Sequence, residues 1–171
     1  NRRYLSGFSG SAGFLVVSKD AAVLATDFRY VEQAGQQSPG FRVHRISGGM
    51  KWLPELLVEL DVKRVGFESG DLTVGAHQAI INVLKEDTIA KEISMISTSQ
   101  FIDPLRMIKD PEELALISRA MEISDHAFQV VTPLIEVGDT ERSVAWKMEI
   151  AMREGGAEAL AFETIVASGP N

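Results

Sequence analysis

The 171-residue chain is acidic, with a net charge of −7, 45% apolar residues and 24% charged residues. These are the proportions of a folded globular protein, and the acidic balance excludes nucleic acid as the main ligand, since phosphate binding needs a basic face. Cysteine is absent, which excludes disulfides, Cys-ligated zinc and thiol nucleophiles, and no run approaches the roughly 18–20 apolar residues that a membrane span needs.

The opening Asn1–Leu5 is basic, yet no long apolar run or cleavage site follows it, so no secretion signal is visible. The lack of an initiating Met leads us to expect a natural start further upstream. A chain without cysteine fits the cytoplasm, the location we expect. The segment Gly7-Phe8-Ser9-Gly10-Ser11-Ala12-Gly13 reads as a flexible connection. It matches neither a phosphate loop, a dinucleotide fingerprint nor a nucleophile elbow. Phe14–Val17 and Ala22–Thr26 are apolar runs separated by polar Ser18-Lys19-Asp20, which predicts a hairpin. A helix is expected over Arg29–Gln37, ending at Ser38-Pro39-Gly40, followed by an alternating strand over Phe41–Ile46.

Trp52, Leu53, Leu56, Leu57 and Leu60 recur at helical spacing, as do Ile80, Ile81 and Leu84 within Val74–Leu84. Arg64–Phe67 and Ile93–Ile96 read as strands flanking the second of these helices. Strands and helices in this alternation predict a layered α/β domain with a mixed sheet and flanking helices. Asp103-Pro104 is a turn signal. At Asp110-Pro111-Glu112-Glu113 the composition announces a helix: a capping Asp, Pro at the first helical position and a Glu three residues after the cap. Leu114, Ile117, Met121, Phe128 and Val131 form one apolar stripe, and Leu116, Ala120, Ile123, Ala127 and Val130 a second, so this helix is expected to be buried on two sides. A further helix runs from Gly138-Asp139-Thr140-Glu141 to Gly155-Gly156 with Val144, Met148 and Met152 inward, and Phe162–Ala167 reads as a strand.

Candidate chemistry is sparse. His44, His77 and His126 stand far apart, none with a partner at metal-ligand spacing. Asp125 and His126 are adjacent on a helix, so their side chains diverge. Asp27-Phe28-Arg29-Tyr30 follows a strand and reads as a local cap or ion pair. The residues alone predict an incomplete two-domain α/β chain without a catalytic constellation.

Ordered segments add more than any single motif. Asn1-Arg2-Arg3-Tyr4-Leu5-Ser6-Gly7-Phe8-Ser9-Gly10-Ser11, Thr26-Asp27-Phe28-Arg29-Tyr30, Arg106-Met107-Ile108-Lys109-Asp110-Pro111-Glu112-Glu113, Gly138-Asp139-Thr140-Glu141 and Phe162–Asn171 follow in order along the chain. Together they resemble the creatinase/prolidase, or pita-bread, metallopeptidase family of the Xaa-Pro aminopeptidase and prolidase type. The resemblance implies an N-terminal domain over residues 1–105 and the opening of a pita-bread catalytic domain over residues 106–171. It implies hydrolysis of bonds preceding proline in peptides by two divalent metal ions (manganese, cobalt or zinc), in a homodimer whose N-terminal domain leans over the pocket. The family's ligands, two Asp, one His and two Glu, are expected downstream of Asn171, leaving no catalytic or metal residue in this chain. Phe162 and Ile165 match positions that line the family's substrate pocket. The alternatives are a creatinase-like amidinohydrolase and a metal-free pita-bread module that binds other proteins.

Overall fold

The computed structural model describes residues 1–170, which fall into two compact units, Asn1–Met107 and Ile108 onward. In the first unit a short helix α1 (Arg2–Ser6) precedes the hairpin of β1 (Phe14–Val17) and β2 (Ala22–Thr26). The expected antiparallel register forms, with Leu15 opposite Leu24 and Val17 opposite Ala22. Its turn closes on Ser18, whose hydroxyl accepts from the Asp20 and Ala21 amides. Helix α2 (Val31–Gln37) carries the chain to β3 (Arg42–Arg45), which pairs parallel to β2. Strand β2 is therefore central to a mixed three-stranded sheet, and Val23, Leu24, Ala25 and Thr26 are fully buried in it.

Helix α3 (Leu53–Glu59), strand β4 (Arg64–Glu68), helix α4 (Val74–Glu86) and strand β5 (Ser94–Thr98) follow, and β4 and β5 pair in parallel as a separate two-stranded sheet. The helical spacing of α3 and α4 does what periodicity requires. Leu53, Leu57, Ile80 and Leu84 bury one face of each helix around Ala90, against Val65 and Met95 of the β4–β5 pair. Each such aliphatic side chain contributes about 1.5–3 kcal/mol when taken fully out of water. A second cluster sits under the mixed sheet, where Phe8, Leu24 and Ala34 pack with Leu15, Tyr30, Phe41 and Val43.

Two expectations for the first unit are corrected. The segment Gly7–Gly13 is not a flexible connection. Phe8 is 0% exposed, the Arg2 guanidinium lies 5.4 Å from its ring centre, and that guanidinium donates to the carbonyls of Gly13 (2.7 Å) and Gly10. A Cβ at Gly10 would stand 2.2 Å from the Phe8 ring, so the ring needs the glycine for close approach. Asp103-Pro104 does not turn the chain but starts a short helix, α5 (Asp103–Met107). Proline is tolerated in the first helical turn, where its missing N–H is not needed.

In the second unit α6 (Pro111–Val131) begins as its capping signal demands. The Asp110 carboxylate accepts from the Glu112 and Glu113 amides at 2.9 Å, while the Glu113 carboxylate accepts from the Asp110 amide at 3.0 Å. Helix α7 (Glu141–Glu154) packs against α6, with Val144, Met148 and Met152 half-buried. Its own box joins Thr140 and Ser143. The two-sided burial expected of α6 is not found: only Ala127 and Val131 are buried, while Leu116, Met121 and Phe128 are exposed. Phe162–Ala167 is likewise not a strand. A strand exists only by pairing its backbone groups, and the second unit presents no other strand among the described residues.

Candidate functional site

In the first unit, two segments far apart in sequence close on one another. The end of β2 holds Thr26 buried with its hydroxyl donating to the Ala12 carbonyl at 2.7 Å, which brings the glycine-rich segment alongside Asp27–Tyr30. The Asp27 carboxylate accepts from the Arg29 amide at 3.0 Å and from its guanidinium at 2.9 and 2.8 Å, so residues 27–29 form a tight side-chain-closed turn. The Arg29 hydrogen bond is the main reason the Asp27 carboxyl is held below its ordinary range; the same bond raises Arg29. Arg29 lies 5.0 Å from the Tyr30 ring centre, and Tyr30 meets the edge of Phe8 at 5.9 Å. The Tyr30 and Ser11 hydroxyls are 2.7 Å apart, and this contact lowers the Tyr30 phenol. On the same side, Gln33 and Gln37 of α2 grip Ser9 through its hydroxyl and amide at 3.0–3.2 Å. Phe28 projects from the turn, 70% exposed.

Reading the sequence segment by segment missed this assembly. Its legible traces are the local Asp27–Arg29 pair and the spacing of Gln33 and Gln37, four apart and so on one helix face.

In the second unit a shallow groove of about 700 Å³ runs beside α7, lined by Thr140, Ser143, Trp146, Glu149, Leu160 and Thr164, among others. The Glu141 carboxylate ties the far end of the C-terminal segment to the start of α7, accepting from the Ser168 amide at 2.8 Å and its hydroxyl at 3.2 Å. The Lys147 ammonium donates to Asp139 at 2.8 Å and to the Leu134 carbonyl at 3.1 Å, and Lys147 is the main cause of the lowered Asp139 carboxyl. Phe162 and Ile165 are exposed on either side of Glu163 and Thr164, which line the groove; the two named residues do not.

Each histidine has its own surroundings. His44 lies tilted against Trp52 with ring centres 5.8 Å apart, His77 tilted against Phe67 at 4.9 Å, and His126 lies exposed on α6. Among the described residues no three His, Cys, Asp or Glu side chains converge as metal ligands would.

Residues 1–108 match the creatinase/prolidase N-terminal domain, and residues 115–171 match metallopeptidase family M24. The chain belongs to the creatinase/prolidase family. It is 35% identical over 170 residues to an uncharacterized peptidase of Bacillus subtilis, a match covering 99% of this chain and 46% of that one. It superposes on a Xaa-Pro dipeptidase from Bacillus anthracis with a TM-score of 0.84 and 34% identity, covering 92% of this chain and 43% of the other. On an X-Pro aminopeptidase from Thermotoga maritima the TM-score is 0.83 at 31% identity, over 94% and 44% of the two chains. The chain thus spans less than half the length of these family members. The mixed α/β architecture is the family's, and no helix among the described residues is long and apolar enough to cross a membrane.

Proposed function

We propose that this chain serves a metal-dependent peptidase that cleaves the bond preceding proline, as a Xaa-Pro dipeptidase or Xaa-Pro aminopeptidase. One observation carries this reading: both family segments lie in order on one chain, which superposes along 92–94% of its length on enzymes bearing those two names. Residues 1–105 serve as the N-terminal domain and residues 106–171 open the peptidase domain, a division supported by the meeting of the two compact units after Met107.

The cofactor proposed for the complete enzyme is a pair of divalent ions: manganese, cobalt or zinc. Such a pair acts as Lewis acid and lowers the pKa of a bound water. The described residues do not fit that pair, since no ligand cluster converges among them, and no step is assigned to them through it. This chain alone is therefore proposed to be inactive. Phe162 and Ile165 are the residues of this chain proposed to line the substrate pocket; their exposed apolar side chains suit a prolyl ring and its neighbours. The enzyme is proposed to act in the cytoplasm, as a homodimer, on proline-containing peptides. In the dimer the N-terminal domain limits peptide length, with Ser6–Gly13 and Asp27-Phe28-Arg29 as the parts that do so.

The test is an assay of the full-length protein loaded with manganese, cobalt or zinc, using an Ala-Pro dipeptide, longer Xaa-Pro peptides and creatine. Cleavage before proline that a chelator abolishes is the expected result, with no turnover by the 171-residue chain alone. Turnover of creatine alone would move the assignment to an amidinohydrolase. A metal-free full-length protein inert to all three would move it to a protein-binding module.

A further inference from the structure

Residues 9–13 form neither helix nor strand, so their course depends on bonds made to them from elsewhere in the first unit. Three of their carbonyls are taken. Those of Gly10 and Gly13 accept from the Arg2 guanidinium, and that of Ala12 accepts from the buried Thr26 hydroxyl at 2.7 Å. The carbonyls on both sides of Ser11 are therefore tied. Hydrogen bonds from a charged donor are the stronger kind, and a planar guanidinium spans two acceptors at a fixed spacing, which a point-like ammonium does not. Arg2 is half-buried, its guanidinium lies 5.4 Å from the Phe8 ring centre, and its Nε is buried with no hydrogen-bond partner among the described residues. A buried donor left unbonded is a cost, so the two carbonyl bonds and the ring are what keep this side chain in place. The opposite side of the same segment is exposed: Ser9 meets Gln33 and Gln37, and Ser11 meets the Tyr30 hydroxyl at 2.7 Å.

We infer that Arg2 is a positioning residue: through the Gly10 and Gly13 carbonyls it sets where the Ser9 and Ser11 hydroxyls stand beside Tyr30, and thereby how this edge limits peptide length. The second half of that statement rests on the function proposed above; the first half does not. Arg2 acts from behind the edge, since its bonds go to backbone carbonyls and the exposed groups are those of Ser9, Ser11 and Phe28. A side chain that moves such an edge by about 1 Å changes which substrates are held well without touching them.

Arg2→Lys keeps the charge and loses the fork; Arg2→Met loses both. On the 171-residue chain the first readout is Tyr30, whose phenol is lowered chiefly by its bond to the Ser11 hydroxyl. Loss of that bond is expected to move the phenol up toward the ordinary tyrosine value of about 10, followed by ultraviolet absorbance with Tyr30→Phe subtracted to remove Tyr4. Hydrogen exchange at the Ser9 amide is expected to accelerate by roughly 3- to 10-fold while the amides of β2 keep their rates. In the full-length enzyme both variants are expected to shift the kcat/KM ratio of an Ala-Pro dipeptide to a longer Xaa-Pro peptide by roughly 3- to 10-fold. An unmoved phenol with unchanged Ser9 exchange overturns the inference, as does an equal acceleration in β2, which would mean general loosening. So does an unchanged length preference in a parent enzyme that cleaves before proline. If the parent cleaves neither peptide, the proposed function has failed, and the phenol and the Ser9 amide alone decide what Arg2 does. Should Arg2→Met not fold, Arg2→Lys decides.

Discussion

Asp27 shows how one side chain organises a surface without being buried in it. Its carboxylate closes a turn on the Arg29 amide and pairs with the Arg29 guanidinium. Arg29 lies beside Tyr30, and Tyr30 reaches Ser11 and Phe8. Because the folded-state pKa of Asp27 is depressed, the folded protein binds its proton less readily than the unfolded chain does. The stability it contributes is therefore present in full above the ordinary Asp value of about 4 and is lost as pH falls through the lowered folded value. Asp27→Asn keeps an oxygen for the Arg29 amide and removes the charge. The variant is expected to have a lower urea midpoint than the parent at pH 7, and the gap should narrow steadily below about pH 4. A gap of the same size at pH 7 and pH 2.5 would refute the role given to the charge. The aspartate and arginine were readable as a local pair from their spacing. Their junction with Ser11 was not, because the hairpin, helix α2 and the buried Phe8 together set that approach.

Among the elements, α6 separates local from tertiary control. Its start is written in four consecutive residues, Asp110 to Glu113, and the reciprocal bonds form as that pattern requires. Asp110→Ala removes the acceptor for the Glu112 and Glu113 amides, and about 1 kcal/mol of helix stability is expected to go with it. Circular dichroism should show reduced helicity that Asp110→Asn largely restores, since Asn caps nearly as well; equal losses in both variants would count against the cap. Burial of the same helix was not written locally. Its two apolar stripes announce what the helix is able to cover, whereas Leu116, Met121 and Phe128 stay exposed because no described element packs on them. Strand Phe162–Ala167 failed as an expectation for the related reason that pairing is never a property of one segment.

At the scale of the whole molecule the two units differ in how completely each buries its apolar surface. Residues 1–107 enclose two clusters, one around Phe8 and Leu24 and one around Leu57 and Leu84. In residues 108–171 no buried residue larger than Val131 is present among those described. Expressed separately, residues 1–107 should melt in one cooperative transition, whereas residues 108–171 should bind an apolar dye and melt without a sharp transition. A broad melt for the first piece, or a sharp one without dye binding for the second, would contradict this division.

By itself the sequence determined the α/β class, the hairpin, the capped starts of α6 and α7 and the family, because each depends on neighbours in the chain: period, turn residues, caps and ordered motifs. Only the tertiary structure decided that the glycine-rich segment is a clamp around Phe8, that Ser11 meets Tyr30, and that Tyr4 reaches Leu105. The Ser11–Tyr30 and Tyr4–Leu105 contacts join residues 19 and 101 positions apart. Their formation depends on how sheet and helices pack, and no local pattern carries that information.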